Sequence, residues 1–189
     1  MLPKTRGRGR GFFFAQSAAV PERRLLFRFL GRCSVDQDRA AELLPFMPPI
    51  ALAQTDPEIA ACFPVMAQLR PHLVAADFVP RVRRMQSEGF HLAYHSDQHG
   101  TIRCVAGYRI MDMLFSGRTL YVDDLVTDSS ARSLGFGDRM IDWLIARARD
   151  AGCTEFSLDS GTQRVDAHRF YLRKRMKISA FHFSLPLSS

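Results

Sequence analysis

Arg132, Gly135 and Gly137 stand in the stretch "DSSARSLGFGDRM", Asp128 to Met140, an Arg-x-x-Gly-x-Gly at the point where a helix begins. A helix amino terminus carries unpaired N–H groups and partial positive charge, so it holds an anion wherever the backbone can come close to it. Glycines at 135 and 137 permit that approach and Arg132 adds a full charge, a combination suited to a phosphate or a pyrophosphate. It is neither the dinucleotide fingerprint nor a P-loop, which need G-x-G-x-x-G after a strand and Gly-Lys-Ser/Thr. The same glycines would also let a helix pack tightly on a sheet, and the motif by itself does not separate the two uses. A second group able to do chemistry is the adjacent pair Asp123 and Asp124 in "LYVDDLV". Alternation along a strand puts Tyr121, Asp123 and Leu125 on one side and Val122, Asp124 and Val126 on the other. Either carboxylate could accept a proton, or serve as a solvated or capping group.

The elements that must position these residues are legible in the pattern. "PIALAQ" alternates like a strand, and Thr55-Asp56-Pro57 then caps a helix whose Ile59, Phe63, Met66 and Leu69 share a face until Pro71, with Pro64 a possible kink. A second helix is expected over Ala75 to Glu88, Phe78, Val82 and Met85 inward and Arg81, Arg83 and Arg84 outward. Strands over Phe90 to His95, Ile102 to Asp112 and Thr119 to Val126 follow, joined by turn residues as an antiparallel meander. The helix in "DRMIDWLIARARDAG" turns Met140, Ile141, Leu144, Ile145 and Ala148 to a core. "TEFSLDS" reads as a strand, "RVDAHRFYLRKR" as a helix and "KISAFHFSL" as a final alternating strand. The order is β-α-α-β-β-β-α-β-α-β, an α/β (α+β) fold with a central mixed, mostly antiparallel sheet.

Composition limits the class of protein. A chain of 189 residues, 47% hydrophobic, has room for one core. The formal charge is +7, and the first 46 residues hold nine Lys/Arg against four Asp/Glu, so five of those charges belong to the leader. Residues 1–46 therefore read as a basic, disordered extension, and 47–189 as the folded domain. "KTRGRGRG" could be a nucleic-acid arm, a solvated tail, or a stretch upstream of a true start at Met47; nucleic acid is disfavoured as a partner, because one short arm is a weak motif. The cysteines, Cys33, Cys62, Cys104 and Cys153, are scattered with no C-x-x-C pair, which suggests neither a disulfide scaffold nor a zinc site. No run of about 18 apolar residues occurs, and "GFFFA" is too short for a signal-peptide core. The expectation is a soluble, cytoplasmic protein with no membrane partner. No metal is expected either: His91, His95 and His99 fall across a strand and a turn, not along one helix face.

The order strand, Arg-x-x-Gly-x-Gly, long helix, strand, then a helix bearing Ala-x-x-Phe-Tyr resembles the GNAT N-acetyltransferase superfamily over about residues 49–185. Two segments carry the resemblance, "LYVDDLVTDSSARSLGFGDRMIDWLIARARDAG" and "RVDAHRFYLRKRMKISAFHF", the second similar to the "DAHRFY" helix of bacterial members. It implies acetyl-CoA as co-substrate, its pyrophosphate on the loop Arg132, Ser133, Leu134, Gly135, Phe136 and Gly137. It also implies acetyl transfer to an amine of a small molecule or a protein, by direct attack in a ternary complex. An alkylamine has a pKa near about 10.4 and must lose a proton first. The resemblance makes Asp123 the base, through a water, with Asp124 in reserve. It makes Tyr171 the group that protonates the departing thiolate, and the N–H groups around Leu125 and Val126 the ones that polarise the thioester.

The chain departs from the family pattern at three places. Arg164 replaces an Asn that touches CoA, beside His168, which is either structural or a CoA contact. Arg175 replaces the glycine after the Phe-Tyr helix and must adopt a conformation glycine takes more easily. Asp138 repels pyrophosphate unless Arg139 or Arg132 offsets it. These departures keep open a second class, a non-catalytic module that binds acyl-CoA or is tethered to nucleic acid by its leader. Asp159 and Ser160 are weaker candidates for the acceptor pocket, Arg147, Arg149, Arg173, Lys174 and Arg175 read as solvated helix faces, and the last strand offers an edge for a homodimer.

Overall fold

The computed structural model describes residues 48–187. The basic extension 1–46, with the short helix suggested by "VDQDRAAELLPF", lies outside the described residues. The chain opens with β1 (Ala51–Leu52) and enters α1 (Asp56–Leu69) through a reciprocal cap. The Thr55 hydroxyl accepts the Glu58 N–H, and the Glu58 carboxylate accepts the Thr55 N–H at 2.8 Å, satisfying two donors that a helix start exposes. Pro57 fits the first turn and the helix stops before Pro71. Its buried face is Ile59, Cys62, Val65 and Met66, with Phe63 half-buried beside Phe78 of α2 (Ala75–Ser87).

β2 (Phe90–Ser96), β3 (Ile102–Met113) and β4 (Gly117–Thr127) form the antiparallel meander that their alternation predicts. α3 (Phe136–Asp150) crosses over to β5 (Glu155–Leu158), which joins β4 in parallel, and α4 (Val165–Arg173) follows. The sheet order is β1-β2-β3-β4-β5. Its two faces carry separate apolar layers. Phe90, Leu92, Val105 and Val126 pack under α1 and α2, and Ala106, Tyr108, Leu120 and Val122 under Met140 and Leu144 of α3. Burying side chains of that size contributes roughly 1.5–3 kcal/mol each, which holds α3 on the sheet. Among the described residues, no helix is long and apolar enough to cross a membrane.

The expected final strand does not form. Residues 174–187 have no regular structure, and Phe181 and Phe183 are 87% and 89% exposed. A period of two says which side chains share a face; it does not supply the second strand whose N–H and C=O groups must be met. Among the described residues, no strand pairs with "KISAFHFSL".

Candidate active site

A break in the sheet makes the site. β4 pairs with β5 only from Thr119 to Val122, so past Val122 the two strands part and β4 presents Asp123, Asp124 and Leu125 to a cleft. At the same point the register with β3 slips: Gly107 faces Asp124, and Tyr108 faces Val122. Asp123 is the extra residue of this bulge. The slip overturns the strict alternation expected for "LYVDDLV". Asp123 and Asp124 both line the cleft, and Leu125 turns with Val122 towards α3 while Val126 packs under α1 and α2. Gly107 makes the arrangement possible, because a Cβ there would sit 2.5 Å from the Phe90 ring and 3.4 Å from the Asp124 carboxylate.

Two arginines hold the carboxylates. Arg109 of β3 donates to Asp123 at 3.0 Å, and its guanidinium lies over the Phe90 ring. Arg70, just past α1, donates from Nε to Asp124 at 2.7 Å and from Nη2 to the Asp123 carbonyl at 3.3 Å. Burial pushes the Asp123 carboxyl above its ordinary range, opposed by the charge and hydrogen bonding of Arg109. A carboxyl so placed is a stronger base than one in water. Neither arginine was singled out in the sequence; each lies far along the chain from its partner, and the one signal is a charged residue inside the otherwise apolar run of β3.

α4 and the loop before it close the cleft, which has a volume of 120 Å³. Tyr171 lines it, its phenol pushed upward by burial against the opposing charge of Arg164, so it is protonated at neutral pH. Arg164 and Leu125 also face the cleft. The His168 Nε2 lies 3.0 Å from the Gly161 carbonyl, which braces the turn ahead of α4. A further network was not foreseen. The Tyr121 hydroxyl donates to Asp159 at 2.8 Å, and His182 of the last segment meets the same oxygen at 2.8 Å. With burial and that carboxylate beside it, the Tyr121 phenol is pushed up to about 12.

The loop that begins α3 has the backbone an anion needs. Asp128 caps the short turn Ser129–Ala131 and is held by Arg103 at 3.0 Å. Ser133 and Gly135 then take φ of 63° and 88°. The first bond of α3 runs from the Arg139 N–H to the Gly135 carbonyl, so the N–H groups of Phe136, Gly137 and Asp138 belong to the helix start that has no earlier carbonyl to meet. Gly137 serves packing too, since a Cβ there would lie 3.1 Å from the Thr127 hydroxyl. The Phe136 side chain is buried; Arg132, Ser133 and Leu134 are exposed.

Asp138 is offset by neither of the arginines named for it. Lys174 meets Asp138 at 3.1 Å and Asp142 at 2.8 Å, joining the end of α4 to the start of α3, and its side chain is only 18% exposed. It is thus no member of a solvated face. Arg175 does take the left-handed conformation expected of it, with φ 62°. Its N–H donates to the Leu172 carbonyl at 2.9 Å and that of Met176 to the Tyr171 carbonyl at 3.1 Å, the paired bonds that close a helix. His91 stacks on Tyr108 and His95 packs edge-on against Phe136, each ring 5.0 Å from its partner.

A helix start with open N–H groups and a cleft holding a carboxylate and a phenol are together compatible with group transfer from a phosphate-bearing donor. Residues 53–176 match the Acetyltransferase (GNAT) family, and the chain belongs to that family. It is an acetyl-CoA-dependent acyltransferase. Over 131 residues it is 32% identical to YhdJ, an uncharacterized N-acetyltransferase of Bacillus subtilis, covering 69% of this chain and 92% of that one. A shorter match, 36% over 66 residues, spans 35% of this chain and 43% of an aminoalkylphosphonate N-acetyltransferase of Salmonella typhimurium. Among solved structures, a putative acetyltransferase from Agrobacterium tumefaciens superposes with a TM-score of 0.64 at 17% identity, covering 74% of this chain and 99% of that one. That likeness concerns the fold.

Proposed function

We propose that this protein moves the acetyl group of acetyl-CoA to a primary amine by direct attack, with both substrates bound at once. The observation that carries the reading is that Asp123 and Tyr171 line one cleft, at the place where β4 leaves β5. The pyrophosphate lies along the loop from Ser133 to Gly137, on the open N–H groups of Phe136 and Gly137, with Arg132 as counter-charge, and Arg164 borders the bound arm. Asp123, through a water, takes the proton from the ammonium. The freed nitrogen lone pair attacks the thioester carbon, whose oxygen is polarised by N–H groups around Leu125 and Val126. The C–S bond then breaks, Tyr171 gives the thiolate a proton as CoA leaves, and the second proton on the former amine nitrogen passes to the Tyr171 phenolate, which restores the phenol. The Salmonella relative is named for aminoalkylphosphonates, which shows the type of small amine that belongs in a first panel. The described cysteines are free thiols, as a reducing cytoplasm would keep them.

The test is the release of free CoA thiol from acetyl-CoA with a panel of primary amines and lysine peptides. Initial-rate lines that intersect support the ternary complex; parallel lines, the mark of an acyl-enzyme, overturn it. Tyr171→Phe should lower kcat by about 10²-fold with the acetyl-CoA dissociation constant unchanged. An unchanged kcat removes Tyr171 from the chemistry.

A further inference from the structure

A second cavity, of 230 Å³, lies between α1, α2 and the sheet, and it shares two residues with the reaction cleft: Arg70 and Asp124 line both. Their ion pair therefore marks where the two spaces meet. On the cleft side stand Asp123 and Tyr171; on the other side the floor is Phe78, Val82, Met85, Phe90 and Leu92. Among the described residues, the only carboxylate on the cavity's lining is Asp124, already paired with Arg70 at 2.7 Å, and the remaining charged or titratable groups, His72 and Arg81, stand on exposed positions at its rim.

Resting on the acetyl-transfer reading, we infer that the acceptor is a monoamine with an apolar body, of the arylalkylamine type, its amine at the two aspartates and its ring in this cavity. Three observations support that occupant. The volume exceeds the roughly 150 Å³ that is enough for a benzene ring in an apolar cavity, leaving room for a short linker. The Arg81 guanidinium at the rim opposes a second ammonium, so a diamine is disfavoured. The floor is also wired to the base: the Phe90 ring lies under the Arg109 guanidinium, 5.5 Å from Cζ to centroid, and Arg109 holds Asp123 at 3.0 Å. An apolar body on Phe90 thus presses on the residue that orients the proton acceptor.

The test compares 2-phenylethylamine with ethanolamine, 2-aminoethylphosphonate and propane-1,3-diamine on the full-length protein. The aryl amine should show kcat/KM at least tenfold above each of the others, through a lower KM. Met85→Trp, which fills the cavity from α2, should raise that KM at least tenfold while acetyl-CoA affinity, measured by calorimetry, stays as in the wild type. Leu73→Trp, from the segment before α2 and on the cavity's lining but not the cleft's, gives a second variant should the first not fold. A higher kcat/KM for the phosphonate, for the diamine or for a lysine peptide overturns the inference. If no amine is acetylated, it is the transfer reading that fails. Calorimetric binding of 2-phenylethylamine then decides this one separately: binding lost in Met85→Trp upholds the cavity as an aryl amine site, and no binding by the wild type overturns it.

Discussion

Asp123 and Asp124 are neighbours on one strand, yet both side chains line the same cleft, because the register of β3 and β4 slips between them. The slip lets one carboxylate be held by Arg109 and the other by Arg70 within a single site. It also gives them different surroundings. Asp123 sits where β4 has just lost its partner β5, and Asp124 faces Gly107 and the cavity beyond.

The pH profile should report this arrangement. A neighbouring cation lowers a carboxyl pKa, so Arg109 works against the burial that raises that of Asp123. In Arg109→Ala the acid limb of kcat/KM should therefore move to higher pH, since a more alkaline solution is needed to ionise the base. In Asp123→Asn the rate should fall about 10²-fold or more and the limb should vanish. A limb that stays in place in Arg109→Ala separates the arginine from the base.

Affinity for acetyl-CoA should depend on Arg132 and on salt. The side chain is exposed at the mouth of the loop, so Arg132→Ala should weaken binding about tenfold, equivalent to about 1.4 kcal/mol, and flatten its dependence on ionic strength. Calorimetry in low and in moderate salt reads both effects. Equal affinities would show that the loop binds through its backbone alone.

Lys174 should matter to the same ligand without touching it. Its removal leaves Asp138 uncompensated in the first turn of α3, beside the N–H groups proposed to receive the phosphates. Lys174→Ala is expected to weaken acetyl-CoA binding by about threefold to tenfold, and Asp138→Asn in the same chain to restore it. Failure of the second change to restore binding would mean that Lys174 acts through the position of α4.

Arg175 offers a gain. A non-glycine residue at φ 62° is strained by about 1 kcal/mol, and Arg175→Gly should return about that much, a rise in Tm of about 2–4 °C for a domain of this size. Thermal unfolding followed by circular dichroism measures it.

Much of the scaffold could be read before the structure was seen, because its signals are local. The Thr55 cap, Pro71 and the periods of α1 to α4 each lie within a few residues of what they specify. The glycine-bearing loop before α3 is local in the same way. The bulge is not: alternation cannot tell where two strands lose step, and Gly107, on another strand, is what gives Phe90 and Asp124 their room. The grips of Arg70 and Arg109 and the bridge from Lys174 to α3 are pairings between distant segments. "KISAFHFSL" fails for the converse reason, since its pattern is that of a strand and, among the described residues, no strand pairs with it.

The closing bonds of α4 bear on motion. Tyr171 stands three residues before the cap at Lys174, within the turn where a helix normally frays on fast timescales. The bonds from Arg175 and Met176 occupy the carbonyls of Leu172 and Tyr171, so the last turn cannot unwind without breaking both. The steadiness of the phenol over the cleft is thus set from outside the cleft, at an arginine held in a conformation it resists.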